Sequence, residues 1–198
     1  MQVNDGDRFH RAIAAIDAAN ADDPETLSLK GEVVPKEQTH AEMALRWVER
    51  LRPDASEALK LASRAHHVRR WERPRADYPA GRQVYLRWRR DLQVFHAETA
   101  AAILRTCDYD EETIARVGMI IRKQGLGRDP EVQALEDALS LVFMETQLHA
   151  FRPTQEEDTV IGILRKTWRK MSPAAREAAL SFDFDPEDRR LIEAAIGS

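Results

Sequence analysis

The chain has 198 residues, 43% of them hydrophobic and 32% charged, with a formal net charge of −4. This length supports one domain with a real core. The acidic balance argues against a dedicated duplex-DNA binder, which needs surplus Lys and Arg. The single cysteine, Cys107, excludes an internal disulfide framework and reads as a small packing residue in a reducing compartment.

The first residues lack the basic and apolar regions of a signal peptide, and no stretch reaches the ~18 apolar residues of a membrane span. A cytoplasmic protein with no membrane partner is expected, and the sequence is silent on oligomeric state.

In chain order, Asn4 and Asp5 are set to cap a first helix carrying Phe9, Ile13 and Ile16 at helical spacing, ending near Asn20 to Pro24. Thr26 to Pro35 reads as an extended connector. A second helix runs from about Lys36 to Leu51, with His40, Ala44, Trp47 and Leu51 on one face. A third runs from about Ala55 to Trp71, with Ala58, Leu61, Ala62, Ala65 and Val68 as its stripe. The loop RPRADYPAGR follows.

A long fourth helix spans about Arg82 to Thr106, with Leu92, Phe95, His96, Thr99 and Ile103 in period. A fifth covers Glu111 to Lys123, closed by Gly125 and Gly127. Asp129 and Pro130 open a sixth, running to about Ala150. Shorter helices follow at Glu156 to Lys170, Ser172 to Leu180 and Pro186 to Ile196. No run alternates with period 2, so the expected fold class is all-α: a multi-helix bundle in a single domain, residues 1–198.

The polar residues on apolar stripes carry the chemical signal. His40 shares a face with Ala44 and Trp47. His66 sits four residues after Ala62, His96 four after Leu92, and Asp137 four before Leu141. Burying a polar group without a partner costs roughly 2–7 kcal/mol. Four helices each bearing such a group are most simply explained if the groups satisfy one another, and imidazoles and carboxylates on facing helices are how bundles hold metals. Zn, Mn, Fe and Co all suit this donor set. Taken singly, a histidine on an apolar face is usually a core residue with a backbone or carboxylate partner; it is the four together that point to a metal.

Between Lys60 and Arg90 there are ten Lys and Arg against two acids, Glu72 and Asp77. Trp71, Tyr78, Tyr85 and Trp88 are interleaved. Guanidinium groups bind phosphate bidentately and stay charged, so this segment reads as a pocket for a phosphorylated small molecule. Arg69, Arg70 and Arg73 are the first candidates for a clamp, then Arg75 and Arg82. A solvated face with ion pairs and an RNA surface are the rivals. RKTWRKMS (165–172) is a second basic patch. No P-loop, dinucleotide fingerprint, GxSxG or CxxC is present.

The run LKLASRAHHVRR resembles the helix of HD-domain metal-dependent phosphohydrolases in which an apolar stretch ends in a His-Asp pair. THAEMALRW resembles their first histidine helix, and FHAETAAAILRTCDYDEETIARVGMIIRKQG followed by ALEDALSLVFME resembles their later histidine and closing aspartate segments. The resemblance covers about residues 36–150, with the helices of 154–198 packed on that core. It implies an HD-like bundle with metal ligands at His40, His66, position 67 and Asp137, and further ligands from the segments of His96 and Lys123. The sequence departs from the pattern at His67, where the family has aspartate, and at Lys123, where extended members carry histidine. The whole chain is also similar to a family known only as a domain of unknown function.

The reading that results is a divergent HD-type phosphohydrolase acting on a phosphorylated small molecule such as a nucleotide, with His40, His66, His67, His96 and Asp137 at the metal and Glu72, Glu98 or Glu136 as general acid. The alternatives are a nucleotide or anion binder without turnover and a metal-dependent oxygenase on the same scaffold.

Overall fold

The computed structural model describes residues 5–29 and 31–197, and they are mostly helical. In chain order, α1 (Asp5–Asn20) leads to β1 (Thr26–Leu29), β2 (Glu32–Pro35), α2 (Lys36–Leu51) and α3 (Glu57–Ala65). Two 3-10 turns, Arg70–Glu72 and Arg75–Asp77, precede α4 (Arg82–Thr106) and α5 (Glu111–Ile121). Then come α6 (Pro130–Val142), a π turn (Phe143–Gln147), α7 (Leu148–Phe151), α8 (Glu157–Lys170), α9 (Pro173–Leu180) and α10 (Pro186–Ile196). No helix of the described residues is long and apolar enough to cross a membrane. The cap expected at Asn4 lies outside the described residues.

Three departures from the sequence reading shape the site. Thr26 to Pro35 is an antiparallel hairpin rather than a bare connector, pairing Thr26 with Pro35 and Leu29 with Glu32. Gly31 takes the left-handed backbone of its turn at φ 86°. Strands of four residues are too short for alternation to show.

The third helix is also shorter than its stripe suggests. Ser56 caps its start through Leu59 N at 3.1 Å. It ends at Ala65 because the next residues find partners outside the helix: Arg69, left-handed at φ 52°, donates its N–H to Asn20 Oδ1 at 3.1 Å.

The sixth helix is broken by the π turn at 143–147. There Thr146 Oγ1 donates to Val142 O at 2.7 Å, and Glu145 accepts from Trp47 Nε1 at 2.9 Å. Such single π turns inside a helix frequently fall at functional sites.

The core is one apolar cluster running from Ala12 to Ala195. Helix α3 is central to it, packing on α1, α2, α4, α5 and α6. Leu59 and Leu61 are fully buried there, each worth about 1.5–3 kcal/mol relative to exposure. Arg64, also on α3, is a structural clamp: its Nε and Nη2 bind both oxygens of Asp17 at 2.6 and 2.8 Å, and Nη2 reaches Glu42 at 3.0 Å. Cys107 is buried.

Candidate functional site

The end of α3, the loop that follows it, one face of α4 and the first turn of α2 meet in one place. His66 and His67 stand side by side with ring centroids 4.2 Å apart and planes tilted by 42°, and His96 on α4 lies 5.5 Å from His67. Each ring is anchored through Nδ1. His66 bonds to Ser63 O at 2.8 Å, His96 to Val68 O at 2.9 Å and His67 to Glu37 Oε2 at 2.9 Å. A carbonyl or carboxylate oxygen only accepts, so all three rings carry their proton on Nδ1 and present Nε2 as a lone pair. Arg70 Nη1 lies 3.5 Å from the His67 Nε2. The Nε2 of His96 is buried without any hydrogen-bond partner.

Burial makes these imidazoles neutral. It pushes His96 down to about 4, against the pull of the Val68 carbonyl. Burial and the neighbouring His67 hold His66 well below the ordinary value. His67 is lowered by burial, then by Arg70, His96 and Lys123.

Glu37, on the first turn of α2, is the carboxylate of this place. It is 3% exposed, and besides His67 it faces Arg70 Nε at 3.5 Å. Its own N–H is held by Asp23 Oδ2 at 2.9 Å. Glu37 was missed in the sequence reading, although it stands three residues before His40 on the same helical face, beside Ala41 and Ala44.

Outside this wall lies a cleft of about 330 Å³, lined by Lys36, Glu37, Arg70, Arg73, Arg75 and Trp88 together with Asp23, Pro24, Glu25, Trp71 and Pro74. Trp88 organises its cations. The guanidinium of Arg70 lies 5.3 Å from the indole centroid and that of Arg75 lies 6.0 Å away. The indole N–H donates to Arg73 O at 3.0 Å. Arg73 itself stacks 5.2 Å over Phe95. Such contacts are worth about 0.5–1 kcal/mol each at partly exposed sites, and they hold long side chains that would otherwise wander.

The remaining residues singled out from the sequence divide clearly. Arg70, Arg73 and Arg75 line the cleft, but Arg75 spends two N–H groups on Tyr78 O and Pro79 O at 2.7 and 3.1 Å. Arg69 pairs with Glu72 at 3.7 Å on the exposed surface, and neither they nor Arg82, at the exposed start of α4, are among the residues lining the cleft. His40, 3% exposed, turns toward the π turn, its Nε2 lying 3.5 Å from Thr146 Oγ1.

Asp137, expected to close the ligand set, serves the backbone instead. Its Oδ1 accepts from Ser172 N and Gln133 Nε2, both at 2.9 Å, at the start of α9. Glu136 is buried between Lys123 and Lys170. Burial pushes its carboxyl up, but the two ammonium groups outweigh that and hold it below the ordinary value, so it is ionised rather than poised as an acid.

Lys123 reaches Glu136 from a left-handed backbone at φ 55°. Among the described residues, no three of His40, His66, His67, His96 and Asp137 have donor atoms within 4.8 Å of one another; the set that does is His149, Asp185 and Asp188.

Fold and site together define a helical protein with an arginine-rich, tryptophan-braced cleft of mixed charge beside neutral histidines. The chain belongs to the family described as Domain of unknown function (DUF4202), whose model matches residues 10–192. No curated protein matches it, and no solved structure does.

Proposed function

We propose that the cleft binds a phosphorylated small molecule, with nucleotides the first class to test. The observation that carries this reading is the bracing of Arg70 and Arg73 against Trp88 and Phe95 at the mouth of a wall of neutral imidazoles. Two preorganised guanidinium groups offer the charge-assisted hydrogen bonds that phosphate oxygens accept, while Lys36 on the same rim is held by Glu25. The Trp88 indole already has two guanidinium groups within 6.0 Å of its centroid, which leaves Trp71 as the aromatic surface for a base.

A second reading, metal-dependent hydrolysis on an HD-like scaffold, is favoured by the histidine wall. Nδ1 bonded to a backbone oxygen or carboxylate with Nε2 left free is the arrangement that orients metal-ligating histidines, and the partnerless Nε2 of His96 is a donor atom in want of an acceptor. As the rings stand, no three of their donor atoms lie within 4.8 Å of one another, so a divalent Zn, Mn, Fe or Co ion would be held by at most two of the Nε2 atoms of His66, His67 and His96, with Glu37 behind His67 in place of the expected Asp137 and water completing its shell. When bound, such an ion supplies an activated water and polarises phosphorus. Arg70 and Arg73 would neutralise the phosphoryl oxygens in either reading.

The test is a titration of tryptophan fluorescence with inorganic phosphate and a panel of nucleotides. Saturable binding that weakens about tenfold or more in Arg70→Ala or Arg73→Ala is expected, a charge-assisted hydrogen bond being worth about 1.5–3 kcal/mol. Failure of every phosphorylated compound to bind at millimolar concentration would remove the proposal. Metal analysis of His96→Gln beside the unaltered chain, with phosphate release over the same panel, decides between binder and hydrolase. A steep salt dependence with RNA and none of these ligands would favour the nucleic-acid rival.

A further inference from the structure

The charge of the cleft is close to balanced. Four cations line it against three carboxylates, an excess of one. Lys36 is neutralised by Glu25 in a close ion pair. Arg70 faces Glu37 through Nε at 3.5 Å. Arg75 has both Nη groups on the carbonyls of Tyr78 and Pro79. The third carboxylate, Asp23, is held by the backbone N–H groups of Glu25 and Glu37, both at 2.9 Å. The exposed guanidinium of Arg73 lies over Phe95, with no carboxylate in ion-pair reach among the described residues. Arg73 and Nη2 of Arg70 are therefore the donors left for a ligand.

We propose, on the reading of the cleft as a phosphate site, that it selects phosphomonoesters over polyphosphates, and that Glu25 sets this limit by holding Lys36. A phosphomonoester carries about −1.5 to −2 of charge at neutral pH on three terminal oxygens, and two guanidinium groups match it. A di- or triphosphate adds negative charge with every phosphoryl group. No further uncommitted cation lines the cleft to meet it, and Asp23, Glu25 and Glu37 repel it at close range. The volume of about 330 Å³ is also near the lower end for small-molecule sites.

The backbone places Glu25 for this role. It stands just before β1 and Lys36 just after β2, and Lys36 N donates to Glu25 O at 3.0 Å, closing the base of the hairpin. Hairpin pairing thus sets the carboxylate beside the ammonium that it neutralises. The Glu25 side chain is 58% exposed. An ion pair so exposed adds little to stability, so removing it changes the charge of the cleft and leaves the fold in place.

The experiment titrates the full chain calorimetrically with AMP, ADP, ATP, ribose 5-phosphate and inorganic phosphate, in EDTA so that no metal ion masks polyphosphate charge. AMP should bind about tenfold or more tighter than ATP, with ADP between them. Ribose 5-phosphate separates the two sources of a phosphomonoester: affinity equal to that of AMP assigns recognition to the sugar phosphate, weaker affinity adds the base, and either supports the proposal. Glu25→Gln frees Lys36 and raises the excess of cations from one to two. It should strengthen ATP more than AMP and narrow the preference to about threefold or less. Glu25→Gln combined with Lys36→Gln returns the excess to one and should restore the preference. ADP or ATP binding as tightly as AMP overturns the proposal, and so does a preference that Glu25→Gln leaves unchanged. Absence of binding by all five removes the phosphate reading itself, and the proposal with it.

Discussion

Glu37 and His67, thirty residues apart in the chain, meet at 2.9 Å, the carboxylate accepting from Nδ1. That one bond fixes the imidazole tautomer, aims Nε2 at Arg70 and joins the first turn of α2 to the end of α3.

Glu37→Ala should therefore do more than remove a charge. Arg70 loses a carboxylate, and His67 is left with Nδ1–H unpaired. A loss of about 1–3 kcal/mol in folding stability is expected, read by urea denaturation, with weakened phosphate binding. Glu37→Gln, which keeps an acceptor for His67, should restore most of the stability and little of the binding. Equal stability of Glu37→Ala and the unaltered chain would refute the assignment.

Trp88 tests the bracing of the cleft. Trp88→Phe keeps a ring beside Arg70 and Arg75 but loses the bond to Arg73 O at 3.0 Å. Phosphate affinity should stay within about threefold, a single hydrogen bond being worth about 1 kcal/mol and only its indirect effect reaching the ligand. Trp88→Leu removes the ring face as well, and about tenfold of affinity should go with two cation–π contacts. Calorimetric titration with the best ligand found for the unaltered chain measures both.

Asp137 is expected to behave as a structural residue. Asp137→Ala removes the acceptor for Ser172 N and should cost about 1–2 kcal/mol, like the loss of a helix cap. If the histidine wall holds a metal, its content should be unchanged. A chain that keeps its stability but loses metal would restore Asp137 to the ligand set.

The metal-free protein should weaken in acid. The folded value of His96 is about 4, below the ordinary 6.5, so the unfolded chain takes up protons first as pH falls. Stability is full above about 6.5 and declines until pH reaches about 4, by about 3 kcal/mol from His96 alone. His66 and His67, also lowered, act in the same direction. His149 runs the other way: Asp185 and Asp188 raise its folded value, so its contribution is complete below 6.5 and fades as pH rises through that raised value. Denaturation followed from pH 8 to pH 4 should show a fall that His96→Gln flattens and His149→Gln does not.

Local pattern carried much of this protein. The stripe Ala58, Leu61, Ala62, Ala65 and Val68 is buried as its spacing implies. The bounds of α4 and α10 follow from periodicity, and the starts of α6 and α9 from the Asp-Pro and Ser-Pro pairs. The crowding of arginines and tryptophans marked the cleft, and adjacency alone put His66 beside His67.

What periodicity could not reach is partnership across distance. A stripe says that His40, His66, His96 and Asp137 face inward; it does not say toward what. Two of the Nδ1 anchors, His67 on Glu37 and His96 on Val68, the turning of His40 to Thr146 and the use of Asp137 at the start of α9 depend on elements brought together by packing. So does the end of α3, where Asn20 from α1 holds a left-handed Arg69 that local propensity alone would continue as helix. The sequence determined the helices and the chemistry available on their faces. The tertiary structure decided which groups meet, because a buried polar side chain takes whichever partner packing puts within hydrogen-bond reach.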